Sequence, residues 1–217
     1  MNGERASFEA GSISLEPLDI SRDCELSAIK AIYQNEFPNS ERKPTSYLAE
    51  TSARVDSGVF VASIKDSIVG FALVRGLTSV DARLLEYMAI SERHQSLGYG
   101  RKMLDLVIGI ESNPMVAEVE RPLDCARNSI ETRRVKFYLR GGFRMISGFD
   151  YRMPKIMDES PPDMRLLIHG YPKPDISGMQ LRKLVDAIYR EVYDVFSYPN
   201  FEPEPTARFE LSDDRGS

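Results

Sequence analysis

The chain has 217 residues, 42% of them hydrophobic, and 28 Lys and Arg against 33 Asp and Glu for a formal net charge of -5. That length suits one domain with a full core plus an extension, and the acidic balance excludes the basic field that binds nucleic acid without sequence preference. Cys24, Cys125, His94 and His169 lack disulfide or metal-ligand spacing, and no apolar run is long enough to cross a bilayer, so a soluble, cytoplasmic, metal-free protein is expected.

Along the chain, Ser12 to Leu18 alternates as a strand, and Ser21 to Phe37 spaces Leu26, Ile29, Ile32 and Tyr33 as a helix that Pro38 stops. A polar loop bracketed by Pro38 and Pro44 leads to a short helix over Thr45 to Val55. Val59 to Ile64 and Ile68 to Arg75, joined by Lys65-Asp66-Ser67, predict an antiparallel hairpin, with Arg83 to Ile90 as the next strand. From Leu97 to Ile110 the period changes: Met103, Leu106, Val107 and Ile110 form the stripe of a helix packed on a sheet.

Met115 to Glu120 predicts a strand, Ser129 to Arg140 a helix ended by Gly141-Gly142, and Phe143 to Phe149 and Met164 to His169 two more strands. In Ile176 to Val195 the residues Leu181, Leu184, Val185, Ile188, Val192 and Val195 share one apolar helical face. Such a face needs a partner surface, either this domain or a second copy in a homodimer. The organisation expected is a domain over 8–171, a C-terminal helix over 172–197 and a mobile, proline-bearing tail over 198–217.

The chemistry is expected where the strand Glu86-Tyr87-Met88-Ala89-Ile90 runs through Ser91 to His94 into Gln95-Ser96-Leu97-Gly98-Tyr99-Gly100. The first amides of a helix lack intrahelical partners and carry the positive end of the macrodipole, so this junction can bind a pyrophosphate. Glycines at 98 and 100 let phosphates approach the backbone. Met103 stands where a dinucleotide-binding fold needs its third glycine, and no G-x-x-x-x-G-K-[ST] loop occurs.

Gln95-x-x-Gly98-x-Gly100 after an apolar strand resembles the [QR]-x-x-G-x-[GA] acetyl-CoA signature of the GNAT superfamily. Phe137-Tyr138-Leu139-Arg140-Gly141-Gly142-Phe143 is similar to the segment that closes a later helix and opens a later strand in that family. The resemblance spans roughly Ser12 to His169 and implies an α+β GNAT fold with a mixed, partly splayed sheet flanked by helices. It also implies transfer of an acetyl group from acetyl-CoA, as co-substrate, to a primary amine on a small molecule or protein, without an acyl-enzyme.

By that resemblance Met88, Ala89 and Ile90 hold the pantetheine arm like an added strand, an amide near Ala89 stabilises the oxyanion, and Gln95, Ser96, Leu97, Gly98, Tyr99, Gly100 and Arg101 hold the pyrophosphate. Glu86 is the candidate base, directly or through water, with a solvent-facing or salt-bridged strand residue as the alternative. Tyr138 is the candidate acid, with a core tyrosine as the alternative. Glu131 stands where the family often has a coenzyme-touching asparagine. Arg133, Arg134 and Lys136 suit either a phosphate or a solvated face, and Glu118 and Glu120 suit a cationic acceptor, an exposed strand face or pairing with Arg121 and the arginine cluster. The competing functions are a regulatory module that binds acyl-CoA without turnover and an interaction protein built on the C-terminal helix and acidic tail.

Overall fold

A computed structural model describes residues 12–122, 129–154, 163–196 and 206–210. In chain order the elements are β1 (Ile13–Pro17), α1 (Asp23–Glu36), α2 (Ser46–Ser52), β2 (Ser57–Ile64), β3 (Ser67–Leu77), β4 (Ala82–Ile90), α3 (Tyr99–Ile108), β5 (Met115–Glu120) and α4 (Ile130–Arg140). They continue with β6 (Arg144–Ile146), β7 (Tyr151–Arg152), β8 (Asp163–His169), β9 (Asp175–Ser177), α5 (Gly178–Ala187), a π-helical turn over Ile188–Val192, and β10 (Thr206–Glu210). Cys125 falls outside the described residues.

The strands make one mixed sheet in the order β1-β2-β3-β4-β5-β8-β6-β10-β9, with β7 also on β8. Every pairing is antiparallel except β4 with β5, which α3 connects as a crossover. Met103, Leu104 and Val107 of α3, with Val135 and Tyr138 of α4, pack on one sheet face against Val74, Leu85 and Ala117. Ile29, Ile32 and Tyr33 of α1 cover Val59, Phe71 and Tyr87 on the other face. Beside α1, Leu181, Leu184, Val185 and Ile188 cover Leu84, Val116, Leu166 and Ile168. Each large side chain buried this way contributes about 1.5–3 kcal/mol, so the three layers specify the sheet's position firmly.

Two expectations change in the C-terminal part. The helix expected over Ile176 to Val195 begins only at Gly178, because Ser177 accepts from the Gln180 amide and Gln180 reaches back to the Ser177 amide, a capping box. It then widens into the π turn, and its apolar face is buried within the same chain. Thr206–Glu210, expected within a mobile tail, is an ordered strand: Phe209 and Glu210 pair with Ile146 and Met145, and Thr206 to Arg208 pair with β9. Ala207 is fully buried, and the Arg144 guanidinium lies 4.2 Å from the centre of the Phe209 ring. Period-two alternation at Ala207 and Phe209 supplies an inward face that composition alone hides.

Candidate active site

The cleft begins at a bulge. In β4, Tyr87 pairs with Leu73 but Leu85 pairs with Val74, so Glu86 is the extra residue. A bulge bends its strand and resets which side chains face in. Leu85 packs toward α3 while Tyr87 packs toward α1, and Met88 and Ile90 again face α3. At the same place β4 leaves β5: their parallel pairing runs from Arg83 with Met115 to Leu85 with Ala117 and stops there, while β5 continues along β8 to Glu120. The strands splay, and a cleft of about 550 Å³ opens between them, lined by Glu86 to Ile90, Gln95, Ser96, Gly100, Glu118, Arg134, Tyr138 and Tyr193 among others.

At one end of the cleft lies the start of α3. Gly98 is the N-cap at φ +82°, Ser96 is also left-handed at φ 62°, and no side chain caps the helix. The amides of residues 96 to 101 have no acceptor among the described residues. An uncapped helix start behind two left-handed residues is a concave set of free N–H groups suited to an anion. The Gln95 side chain donates to Ile90 O at 2.9 Å and to Glu36 at 2.7 Å, bracing the turn against β4 and α1. Arg101 is spent on Asp105 at 2.9 Å, so its backbone rather than its guanidinium is free for a phosphate. Along β4, the edge after Leu85 has lost β5, and Met88, Ala89 and Ile90 line the cleft there.

Tyr138 of α4 lines the middle of the cleft. Its ring packs edge-on against Phe137 and Phe143, and its hydroxyl has no hydrogen-bond partner among the described residues. Burial pushes its pKa up to about 12, so the hydroxyl keeps its proton at neutral pH.

At the far end two polar networks meet. Glu86 is nearly enclosed: Lys43 Nζ lies 2.7 Å from one carboxylate oxygen and the Tyr47 hydroxyl donates to the other at 2.8 Å. Lys43 Nζ also donates to Val192 O at 2.7 Å and sits over the Tyr47 and Tyr193 rings, while Arg75 donates to the Tyr47 hydroxyl. In the second network Glu118 accepts from Tyr151 on one oxygen and from Tyr193 on the other, at 2.6 Å from Tyr193. Burial raises the Glu118 pKa to about 7, and the two tyrosine hydroxyls hold it from rising further.

The arrangement brings the expected site residues Glu86, Met88, Ala89, Ile90, Gln95, Ser96, Gly100 and Tyr138 to one cleft. Leu97 is exposed on the rim, and Tyr99 is buried in the core beneath the turn. Of the two readings open for Glu86, the geometry is that of the ion-paired strand residue, since both its oxygens are engaged. Glu118, expected either to meet a cationic acceptor or to sit on an exposed or arginine-paired strand face, is enclosed with a carboxyl titrating near neutrality. Glu120 pairs with Arg134 at 3.4 Å, and Arg133 and Arg134 both line the cleft. Lys43, Tyr47, Arg75, Tyr151 and Tyr193 were not anticipated. The one local signal was Arg75, a charge closing an otherwise apolar strand.

The family model described as an acetyltransferase (GNAT) domain matches residues 55–145, which hold the bulge, the splay, the α3 turn and Tyr138. Residues 55–145 are a GNAT acetyltransferase domain. It is the domain of acyl-CoA-dependent N-acyltransferases, and the mixed, splayed sheet is the GNAT fold. A GNAT-family protein from Bacteroides thetaiotaomicron is similar at 22% identity and TM-score 0.72, over 84% of this chain and 99% of that one. Naa50 from Arabidopsis thaliana in complex with the bisubstrate analogue CoA-Ac-MVNAL is similar at 20% identity and TM-score 0.54, over 74% and 99%. Spermidine N-acetyltransferase from Vibrio cholerae in complex with CoA and spermine is similar at 15% and TM-score 0.53, over 72% and 94%. No curated protein sequence matches the chain. Among the described residues there is no group of side chains able to hold a metal, and no helix long and apolar enough to cross a membrane.

Proposed function

We propose that the chain moves an acetyl group from acetyl-CoA directly to a primary amine, with Glu118 as proton acceptor and Tyr138 as proton donor. The observation that carries this reading is that one cleft holds an uncapped helix start, an open strand edge, a protonated tyrosine and a carboxyl titrating near 7. The coenzyme supplies an acetyl thioester. The amides of 96 to 101 suit its pyrophosphate, and the edge of Met88 to Ile90 suits its pantetheine arm.

The amine nitrogen attacks the thioester carbonyl, the new C–N bond forms, and the C–S bond breaks. An amine of the lysine type, with a pKa of about 10.4, is almost wholly protonated at neutral pH, so its proton must be taken up. Glu118 suits that task because its pKa lies near the working pH, whereas Glu86 is neutralised by Lys43. The Tyr138 hydroxyl donates toward the leaving sulfur. Glu41 and Glu118 around the cleft favour a cationic acceptor, and the similar Vibrio cholerae protein is a spermidine N-acetyltransferase bound to spermine.

Incubation with acetyl-CoA and a panel of primary amines (spermidine, lysine, and peptides with free N-termini), following free thiol, tests the reading. Release that depends on one amine class supports it. Thermal stabilisation by acetyl-CoA without release across the panel would instead favour a non-catalytic acyl-CoA-binding module.

A further inference from the structure

The C-terminal arm, α5 with its π turn, lies outside the family match at 55–145, yet it reaches the cleft. We infer that it completes the catalytic site: Tyr193, delivered by the arm, is a positioning residue that holds and tunes the Glu118 carboxylate. This rests on the reading of Glu118 as the base.

The arm is fixed far more tightly over 191–193 than apolar burial requires. Arg75 donates to Glu191 O at 2.5 Å, and Lys43 donates to Val192 O at 2.7 Å. These are carbonyls that a helix end leaves without intrahelical donors. The Glu191 carboxylate accepts from the Thr78 amide at 2.7 Å and the Ser79 amide at 3.2 Å. The Val195 amide closes back on Tyr189 O at 2.9 Å, and Asp194 between them takes φ 56°, a left-handed conformation that a non-glycine residue adopts at a cost. Ties from β3, from the β3–β4 turn and from the loop before α2 thus converge on Glu191 and Val192, and the next side chain, Tyr193, donates to Glu118.

Such ties are disproportionate for a segment already buried through Leu181, Leu184, Val185, Ile188 and Val192. They suit a segment whose last side chain must be held to a fraction of an ångström. A π turn at this junction fits the same reading, because such turns cluster at functional sites.

The consequence is chemical. With Tyr151 on one oxygen and Tyr193 on the other, the carboxylate cannot rotate, and each O–H favours its ionised form against the cost of burial. The other charges facing it oppose one another: Glu86 on β4 raises its pKa and Lys43 lowers it. A hydrogen bond to a charged group is among the stronger ones in a protein, so losing one moves the carboxyl up by about one pH unit or more.

The test is a titration of the full chain labelled with 13C at glutamate carboxyls, with the Glu118 signal assigned by Glu118→Gln, in the native protein and in Tyr193→Phe. Phenylalanine keeps the ring and its packing, so the variant should fold. The expected result is a Glu118 midpoint about one pH unit higher, with acetyl transfer to the best amine of the panel falling about tenfold in kcat at pH 6.5 and less at pH 9, at unchanged KM for acetyl-CoA. Val192→Ala, which trims apolar packing while keeping the Val192 carbonyl tie to Lys43 and the Tyr193 hydroxyl, should lower stability and leave the midpoint in place.

An unmoved midpoint in Tyr193→Phe overturns the inference, whatever the activity. If Glu118→Gln keeps full activity and the same pH profile, the base assignment fails and the catalytic role of Tyr193 fails with it. A midpoint that moves in a protein that acetylates no amine upholds the hold on Glu118 and sinks the transferase reading alone.

Discussion

The two ends of the cleft are built from different materials. The end proposed for the coenzyme is backbone: free amides at the start of α3, wound by Ser96 and Gly98, and a strand edge exposed when β5 departs. The end proposed for the acceptor is side chains: Glu86, Glu118 and Tyr193 with their partners Lys43, Tyr47, Arg75 and Tyr151, drawn from β3, β4, β5, β7, the segment around α2 and the C-terminal arm. Backbone recognition needs only a local conformation, so it tolerates wide change in the surrounding sequence. A side-chain network is lost with any one member, because a buried polar group stripped of its partner bears the full cost of desolvation. The coenzyme end should therefore withstand substitution that keeps the turn, and the acceptor end should fail one residue at a time.

That contrast is broken most severely at Glu118. Glu118→Gln is expected to lower kcat by about 10³-fold, within the range for a general base, with thermal stabilisation by acetyl-CoA retained. Loss of stabilisation as well would mean that the two ends are not separable. In the native protein kcat/KM should rise with pH through a limb near 7, as Glu118 gives up its proton, and Glu118→Gln should erase that limb. Lys43→Met comes next: it leaves Glu86 charged and enclosed, and removing one partner of a buried pair costs about 3–5 kcal/mol, readable by denaturant unfolding. Adding Glu86→Gln should return part of that loss, and a double variant no better than Lys43→Met would argue that Lys43 works through Val192 O instead. Tyr138→Phe keeps the packing against Phe143 and should lower kcat by about 10²-fold with little change in stability.

The same division decides what could be read from the sequence. The α3 turn and the strand before it were legible because their signals are contiguous: glycines, a change of period from two to 3.6, an apolar strand. The hairpin β2–β3 followed from strand-favouring residues around a polar turn, α3 from its apolar period and α4 from the glycine pair that ends it. The bulge was not legible, since Glu86 as the extra residue depends on pairing with β3, and without it Glu86 reads as an ordinary strand position. Nor was the Lys43–Glu86 pair or the Tyr193–Glu118 contact, which join residues 43 and 75 positions apart. Within the arm, the Ser177 cap and the π turn were masked by an unbroken apolar stripe. In the tail, two inward positions at Ala207 and Phe209 were outweighed by prolines and charge.

The smallest expected effects separate conformation from ligand contact at the coenzyme end. Gly98 holds φ +82°, and a Cβ there would meet nothing within 4 Å, so Gly98→Ala pays only for its backbone, about 1–2 kcal/mol of stability. Gly100 lies inside α3, and a Cβ there would rest 3.6 Å from the Phe137 ring, an ordinary contact. Because alanine favours a helix over glycine, Gly100→Ala should leave the free protein unchanged or roughly 0.5 kcal/mol more stable. The acetyl-CoA signature that the turn resembles admits alanine at this position, so acetyl-CoA should stabilise Gly100→Ala in thermal unfolding as much as the native chain. Gly98→Ala, which disturbs the left-handed N-cap that shapes the free amides, should be stabilised less. Equal stabilisation of Gly98→Ala and the native chain would move the phosphates off the α3 turn, and the backbone end of the comparison would have to be sought elsewhere along the cleft.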